Sequence, residues 1–274
     1  MSDERVPGGS AGRISRGLSR LLLVLGLLLG APWARAQDDA NDPIEPLNRA
    51  VFVFNDVVDG LIIEPASELY GLVVPSPVRT GVRNFLDNLR APVVFANDVL
   101  QGERERAGVT LGRFMINTIL GGVGIFDVAQ HFGYEKDGQR VAYVRHGEDF
   151  GQTLAVWGVG EGFYLVLPIL GPSTARDALG LAVDAFVIDP SVHVTTPDER
   201  IVLRVTDGID TRHQLDSVIE DLRRNSIDRY ATFRTVYRQR RAAEIRNGRA
   251  PVDDESYDDI FNIDPESDDA TPSL

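Results

Sequence analysis

Two stretches of this chain carry almost no charge, and they limit what it can become more than anything else in it. Leu111 to Val128 (LGRFMINTILGGVGIFDV) holds only Arg113 and Asp127 as charges, and Leu154 to Gly171 (LAVWGVGEGFYLVLPILG) only Glu161. Both are broken near the centre by glycines, Gly121-Gly122-x-Gly124 in the first and Gly158-x-Gly160-x-Gly162 in the second. A helix apolar on all sides is either deeply buried or faces lipid. Neither stretch is an uninterrupted span of about 20 residues, and a glycine-broken half-helix in a bilayer needs protein or a wet cavity to satisfy its backbone. Each stretch alone reads as a buried soluble core, with a lipid-facing role as the alternative.

The rest of the body, residues 38–250, is dominated by helix signals. Ser76-Pro77 offers a cap followed by proline at the first helical position. Val78, Val82, Phe85, Leu86 and Leu89 then form one stripe that Pro92 should end. Thr174-Ala175-Arg176-Asp177 opens a helix with Leu179, Val183 and Phe186 on one face. Thr196-Pro197-Asp198-Glu199 is a capping box, and the helix behind it carries Val202, Val205 and Ile209 with a break or bend expected at Gly208. A further helix uses Leu215, Val218, Ile219 and Leu222. A last one, Ser226 to Arg246, places Ile227, Tyr230, Phe233 and Tyr237 on one side and Arg234, Arg238 and Arg241 on another. Val141 to Val144 is the only run that alternates like a strand. The expectation is an all-α body of nine or ten helices.

The ends read differently. Arg13, Arg16 and Arg20 precede an 11-residue apolar run, Leu21 to Ala31, and Ala34-Arg35-Ala36 is a small-residue cleavage site. This is the pattern of a secretory signal, so residues 1–36 are expected to be removed and the mature chain to start at Gln37. Residues 37–250 form the helical domain. Residues 251–274 hold nine acids and no base, a composition that cannot offset the cost of ordering the chain, so this tail is expected to be disordered. It reads as a solvating tail, or as a short docking motif for a basic partner.

Composition removes several kinds of chemistry. The chain has 274 residues, no cysteine and a formal charge of −13, which deepens to 23 basic against 39 acidic residues once 1–36 are gone. A nucleic-acid partner is not expected of so acidic a chain. Without cysteine there is no disulfide, thiolate metal site or lipid attached through that residue, so the reading from sequence is an exported protein that is not a lipoprotein. His131, His146, His193 and His213 fall at no metal-ligand spacing, and no metal or other cofactor is expected. Asp149-Phe150-Gly151 lacks the other kinase motifs, the second glycine cluster lacks dinucleotide spacing, and nothing assembles a nucleophile with a base, so no enzyme is expected.

The order of short motifs resembles the MlaA/VacJ family. Asn41-Asp42-Pro43-Ile44-Glu45-Pro46-Leu47-Asn48-Arg49 leads into Phe52-Val53-Phe54-Asn55. Asn84-Phe85-Leu86-Asp87-Asn88-Leu89 and Gln101-Gly102 follow. Arg113-Phe114-Met115-Ile116-Asn117-Thr118, Asp149-Phe150-Gly151-Gln152-Thr153-Leu154, Gly171-Pro172-Ser173-Thr174-Ala175-Arg176-Asp177 and Ser226-Ile227-Asp228 continue it, collinear over about residues 41–245. The resemblance implies a ring-like helical protein of the Gram-negative outer membrane with a central amphipathic channel. Such a protein takes mislocalised phospholipids from the outer leaflet and passes them to the periplasmic carrier MlaC, maintaining lipid asymmetry. A trimeric porin is the implied second partner. It also moves the two apolar stretches toward channel-lining or lipid-facing roles. The lipid-path candidates are Phe114, Asn117, Thr118, Leu120, Gly121, Gly122, Ile125 and Phe126. The competing readings are a soluble periplasmic lipid- or small-molecule-binding protein or hydrolase, and a porin-associated scaffold without a lipid path.

Overall fold

The computed structural model describes residues 41–189, 192, 195–247 and 249. The expected signal segment, the acidic tail and His193 lie outside the described residues. The body is mostly helical, as expected. Its α-helices are α1 (Glu45–Val58), α2 (Glu64–Val73), α3 (Ser76–Gln101), α4 (Arg104–Ile119), α5 (Phe150–Val156), α6 (Ala175–Val183), α7 (Pro197–Gln214), α8 (Asp216–Asn225) and α9 (Arg229–Ile245). Single π-helical turns, Asp59–Ile63 and Asp184–Ile188, continue α1 and α6. Helix α3 packs along α4, and α2 lies on α7.

Several local expectations need correcting. Pro92 does not end its helix: α3 runs on to Gln101, and Gly102 closes it in the left-handed conformation. Gly208 does not break α7, which is continuous and opens with both halves of the Thr196–Glu199 capping box. The last helix starts at Arg229, capped by Asp228, and leaves Ile227 fully exposed in the preceding turn. Phe186 is also exposed.

The second apolar stretch is no helix beyond Val156. It forms strand β3 (Tyr164–Leu167), which pairs antiparallel with β4 (Gly171–Thr174), Tyr164 opposite Thr174. The alternating strand read near Val141 is β2 (Gln139–Ala142), paired with β1 (Gly133–Lys136). Tyr164, Val166 and Tyr230 form the apolar core cluster, with Val51, Phe52 and Tyr237 around them. Tyr230 takes edge contacts from Phe52 and Tyr164, with ring centroids 5.7 and 6.1 Å apart.

Ion pairs fasten the first helices to the last. Asp42 pairs with Arg234 at 2.8 Å and Arg49 with Asp228 at 2.7 Å. Further along, Asp56 meets Arg229 at 3.1 Å, Asp59 meets Arg223 at 2.7 Å and Arg212 at 2.9 Å, and Glu64 meets Arg223 at 2.7 Å. Apart from Glu68, the outward side chains of this segment are apolar: Val53, Phe54, Val57, Leu61, Ile62 and Leu72 are all more than half exposed or at that limit. Charge inside and hydrocarbon outside is the reverse of an ordinary surface helix. Among the described residues no helix is long and apolar enough to cross a membrane.

Candidate functional site

Helices α3 and α4 place a polar row along one seam. Asn84 and Asn88 stand one helical turn apart on α3, and Arg113, Asn117 and Thr110 follow the same face of α4 at spacings of three and four. Together with the loop 145–149, the π-turn after α6 and the end of α9 they enclose a cavity of about 710 Å³. Its wall mixes charged groups (Asp87, Arg113, Arg145, Glu148, Asp184 and Arg240 among them) with apolar ones (Ala91, Val93, Val94, Phe114 and Leu181). That volume is in the range of cavities that hold small organic ligands.

The turn 119–126 contributes no lining residue but lies against the Asn84 and Asn88 end of the cavity, where polar side chains hold it. Asn84 Nδ2 donates to the Ile125 carbonyl at 3.1 Å and Asn88 Nδ2 to Thr118 Oγ1 at 2.9 Å. Asn117 Nδ2 donates to Asp127 at 2.9 Å, while its Oδ1 accepts the Ala129 N–H at 2.8 Å. Arg113 grips both oxygens of Asp127 at 2.7 Å. Arg145 ties the loop to the same corner through Asp87, through Asn84 at 2.9 Å and through Asp127 at 3.0 Å.

The charges of the wall are tuned in opposite directions. Burial pushes the Asp87, Glu148 and Asp184 carboxyls up, and their hydrogen-bonding and charged partners only partly offset it. Burial pushes Asp127 and Asp149 up as well, but hydrogen bonds and charge together, from Arg113, Asn117 and Arg145 on the first and from Arg241 and Gln152 on the second, hold both below the usual carboxylate range. Behind the cavity Arg241 bridges Asp149 at 2.6 Å and Asp177 at 2.9 Å.

The eight candidate residues divide four ways. Phe114 and Asn117 line the cavity. Thr118 is half-buried against Asn88. Leu120, Ile125 and Phe126 project from the turn and are exposed, together with Ile119 and Val123. Gly121 and Gly122 shape that turn: a Cβ on Gly121 would sit 2.2 Å from the Phe126 carbonyl oxygen, and Gly122 has a φ of +60° with no atom closer than 4.0 Å to its would-be Cβ. Sequence reasoning missed Asn84, Asp87, Asn88, Arg145, His146, Glu148 and Asp184. The signal for the first three was present, as three polar residues one turn apart on the face of α3 opposite its apolar stripe. The others come from a loop and a π-turn and share no period. Among the described residues no cluster of His, Asp or Glu could hold a metal ion.

A family model described as MlaA lipoprotein matches residues 40–244. A relative from Escherichia coli K12, named intermembrane phospholipid transport system lipoprotein MlaA, is 37% identical over 91% of this chain and 98% of its own. The Haemophilus influenzae protein of the same name is 32% identical over 81% of this chain and 87% of its own. A solved structure described as the structural basis for maintenance of bacterial outer membrane lipid asymmetry superposes with a TM-score of 0.63. It is 34% identical and covers 74% of this chain and 98% of its own. These names overturn the expectation that the chain is not a lipoprotein. The cysteine count excludes attachment through a cysteine of these 274 residues and nothing wider, so it is no ground for setting the chain apart from its relatives. By the extent of the match and the identity of these relatives, the chain belongs to the MlaA family.

Proposed function

We propose that this chain is a phospholipid-transport component that takes mislocalised phospholipids from the outer leaflet of the outer membrane and hands them to a periplasmic carrier of the MlaC kind, beside a trimeric porin. The transporting unit is the helical body, residues 37–250. The observation that carries this reading is the pairing of a mixed polar and apolar cavity with an exposed apolar turn at its edge. An acyl chain of about 15 methylenes costs on the order of 12 kcal/mol to bring into water, at ~0.8 kcal/mol per CH₂. A path out of a leaflet must therefore cover the tails and still give the headgroup polar surroundings. Ile119, Leu120, Val123, Ile125 and Phe126 offer the tails an apolar surface, and the Asn, Asp and Arg groups behind them offer the headgroup a wet one. The outward apolar row of α1 and α2 fits the same lipid setting. Relatives named for intermembrane phospholipid transport support the reading.

The test is the lipid content of the full chain purified from its own membrane. Phospholipid in stoichiometric amount, with outer-leaflet phospholipid rising in cells that lack the protein, is the expected result. Protein free of phospholipid, with an unchanged outer leaflet in its absence, would overturn it.

A further inference from the structure

His146 stands on the cavity wall in the loop that goes on to Glu148 and Asp149. Its Nε2 lies 3.1 Å from both carboxylate oxygens of Asp98 and 3.2 Å from Thr110 Oγ1. Asp98 has no exposed surface, and the one Thr110 hydroxyl proton goes to it at 2.6 Å. A carboxylate can only accept, so it keeps the ring proton on Nε2. In the neutral ring Nδ1 is then a bare lone pair. No described residue hydrogen-bonds it, and it is not sealed from solvent.

We infer that Nδ1 of His146 accepts a hydrogen bond from the primary ammonium of an ethanolamine headgroup, which makes the cavity selective for that headgroup over its trimethylated counterpart. This rests on the phospholipid reading of the cavity given above. An ammonium carries three donors and a positive charge, and a choline nitrogen carries the charge with no donor. Nδ1 supplies the acceptor that tells the two apart. Glu148, Asp184 and Asp87 on the same wall favour a cation, and Arg113 and Arg145, which also line it while paired with Asp127, add positive charge that suits the accompanying phosphate. Glu148 is itself held in place by Gln101 at 2.8 Å and by Arg106.

The full chain in detergent is equilibrated with vesicles of phosphatidylethanolamine and phosphatidylcholine in equal parts, with identical acyl chains. The captured lipid is quantified by mass spectrometry. Wild-type protein should enrich phosphatidylethanolamine about tenfold, the scale of one hydrogen bond to a charged group. His146→Gln places an amide N–H where Nε2–H meets Asp98 but has nothing at the Nδ1 position. It should still capture phosphatidylcholine as the wild type does, but hold less phosphatidylethanolamine, so that the ratio falls to near one. A ratio near one in the wild type, or an unchanged ratio in the variant, overturns the role of His146 and leaves the transport reading standing. Capture of neither lipid by the wild type overturns the transport reading itself. Because the variant touches a buried pair, the wild type also gives a direct readout. In ¹⁵N-histidine-labelled protein the Nδ1 resonance should move with phosphatidylethanolamine and stay still with phosphatidylcholine. No movement with either overturns the inference.

Discussion

The turn at 119–126 and the hairpin at 164–174 have similar sequences and opposite constructions. In the hairpin the strand residues Tyr164 and Val166 point inward and are buried against Tyr230, of its large apolar residues only Ile169 and Leu170 at its tip are strongly exposed, and backbone pairing between β3 and β4 does the holding. In the turn the apolar side chains point outward, and the holding is done by Asn84, Asn88, Asn117 and Asp127 underneath. One is stabilised by removing hydrocarbon from water, the other by satisfying polar groups beneath hydrocarbon that stays exposed. An exposed apolar cluster of that size on a rigid polar footing marks a surface that meets something apolar.

The hairpin should therefore respond to loss of volume and the turn to loss of a polar partner. Tyr164→Ala empties a core site and should cost about 3–5 kcal/mol of unfolding free energy by urea titration. Tyr164→Phe should cost nothing measurable, since the buried Tyr164 hydroxyl has no hydrogen-bond partner. A loss in the Phe variant equal to that in the Ala variant would show that the hydroxyl, not the ring, matters.

In the turn the sensitive group is Arg113. Arg113→Met keeps the length of the side chain and leaves the mostly buried Asp127 with Arg145 and Asn117 but without its bidentate partner. Breaking such a pair costs about 3 kcal/mol or more. The double change Arg113→Met with Asp127→Asn should recover part of the loss. No recovery would place the cost in packing, as in the hairpin.

Acid should act on the carboxyls in two opposite senses, with Asp127 under the turn in the same lowered class as those behind the hairpin. A carboxyl held below its unfolded value, ordinarily about 3.9, contributes stability above that value and loses it as the pH falls through its folded one. Asp149 and Asp177, held down by Arg241 against the upward push of burial, belong to this class and sit behind the hairpin beside Tyr237. Asp87, Glu148 and Asp184 are raised by burial, so their ionised forms cost stability that is regained as the pH falls through their raised values. Stability should hold or rise from neutrality toward the ordinary carboxylate range and collapse below it. A steady fall from pH ~7 would contradict the upward push on the cavity carboxyls.

Much of this plan was legible in the sequence. The Thr196–Glu199 box starts its helix where its spacing says, because a cap is a contact between residues three apart. Pro92 and Gly208 mislead because their local cost, about 3 kcal/mol for proline and ~1 for glycine, is outweighed by packing of α3 and α7 on neighbours distant in sequence. The hairpin stayed hidden because Tyr164 to Leu167 is a short apolar run, and periodicity cannot tell such a run from buried helix. Of the candidate site, Phe114 and Asn117 were found by their place in an odd helix. Arg145, His146 and Asp184 reach the cavity through tertiary folding alone and leave no local pattern.

The two adjacent glycines sharpen the comparison further. Adjacent glycines can give a turn freedom to move. Gly121→Ala cannot report on mobility, since its Cβ would fall on the Phe126 and Asn117 carbonyl oxygens at 2.2 and 2.5 Å. Gly122→Ala meets open space and pays only for the left-handed backbone, about 1 kcal/mol. Gly122→Ala is thus the variant that stiffens the turn in a folded protein. With lipid passage through a moving turn, it should raise outer-leaflet phospholipid at normal protein levels. An unchanged leaflet would make the turn a fixed surface.

The smallest effect on stability should accompany the largest on lipid handling. Phe126 is 67% exposed and Leu120 is 62% exposed, so Leu120→Ser with Phe126→Ser removes little buried area, and the change in unfolding free energy should stay within about 0.5 kcal/mol. If the turn is the surface over which acyl chains leave the leaflet, the double variant gives up apolar contact at the edge of the cavity while the polar footing stays whole. Phospholipid should accumulate in the outer leaflet, detergent resistance should fall, and less lipid should copurify with the variant. The matched change in the hairpin region is Ile169→Ser with Leu170→Ser, since both residues are exposed at the β3–β4 turn. Defects confined to the 119–126 variant would assign the lipid path to that turn. Defects confined to the 169–170 variant would move the path to the second stretch. Equal defects in both would mean that exposed hydrocarbon acts as general membrane contact, with neither turn as a gate.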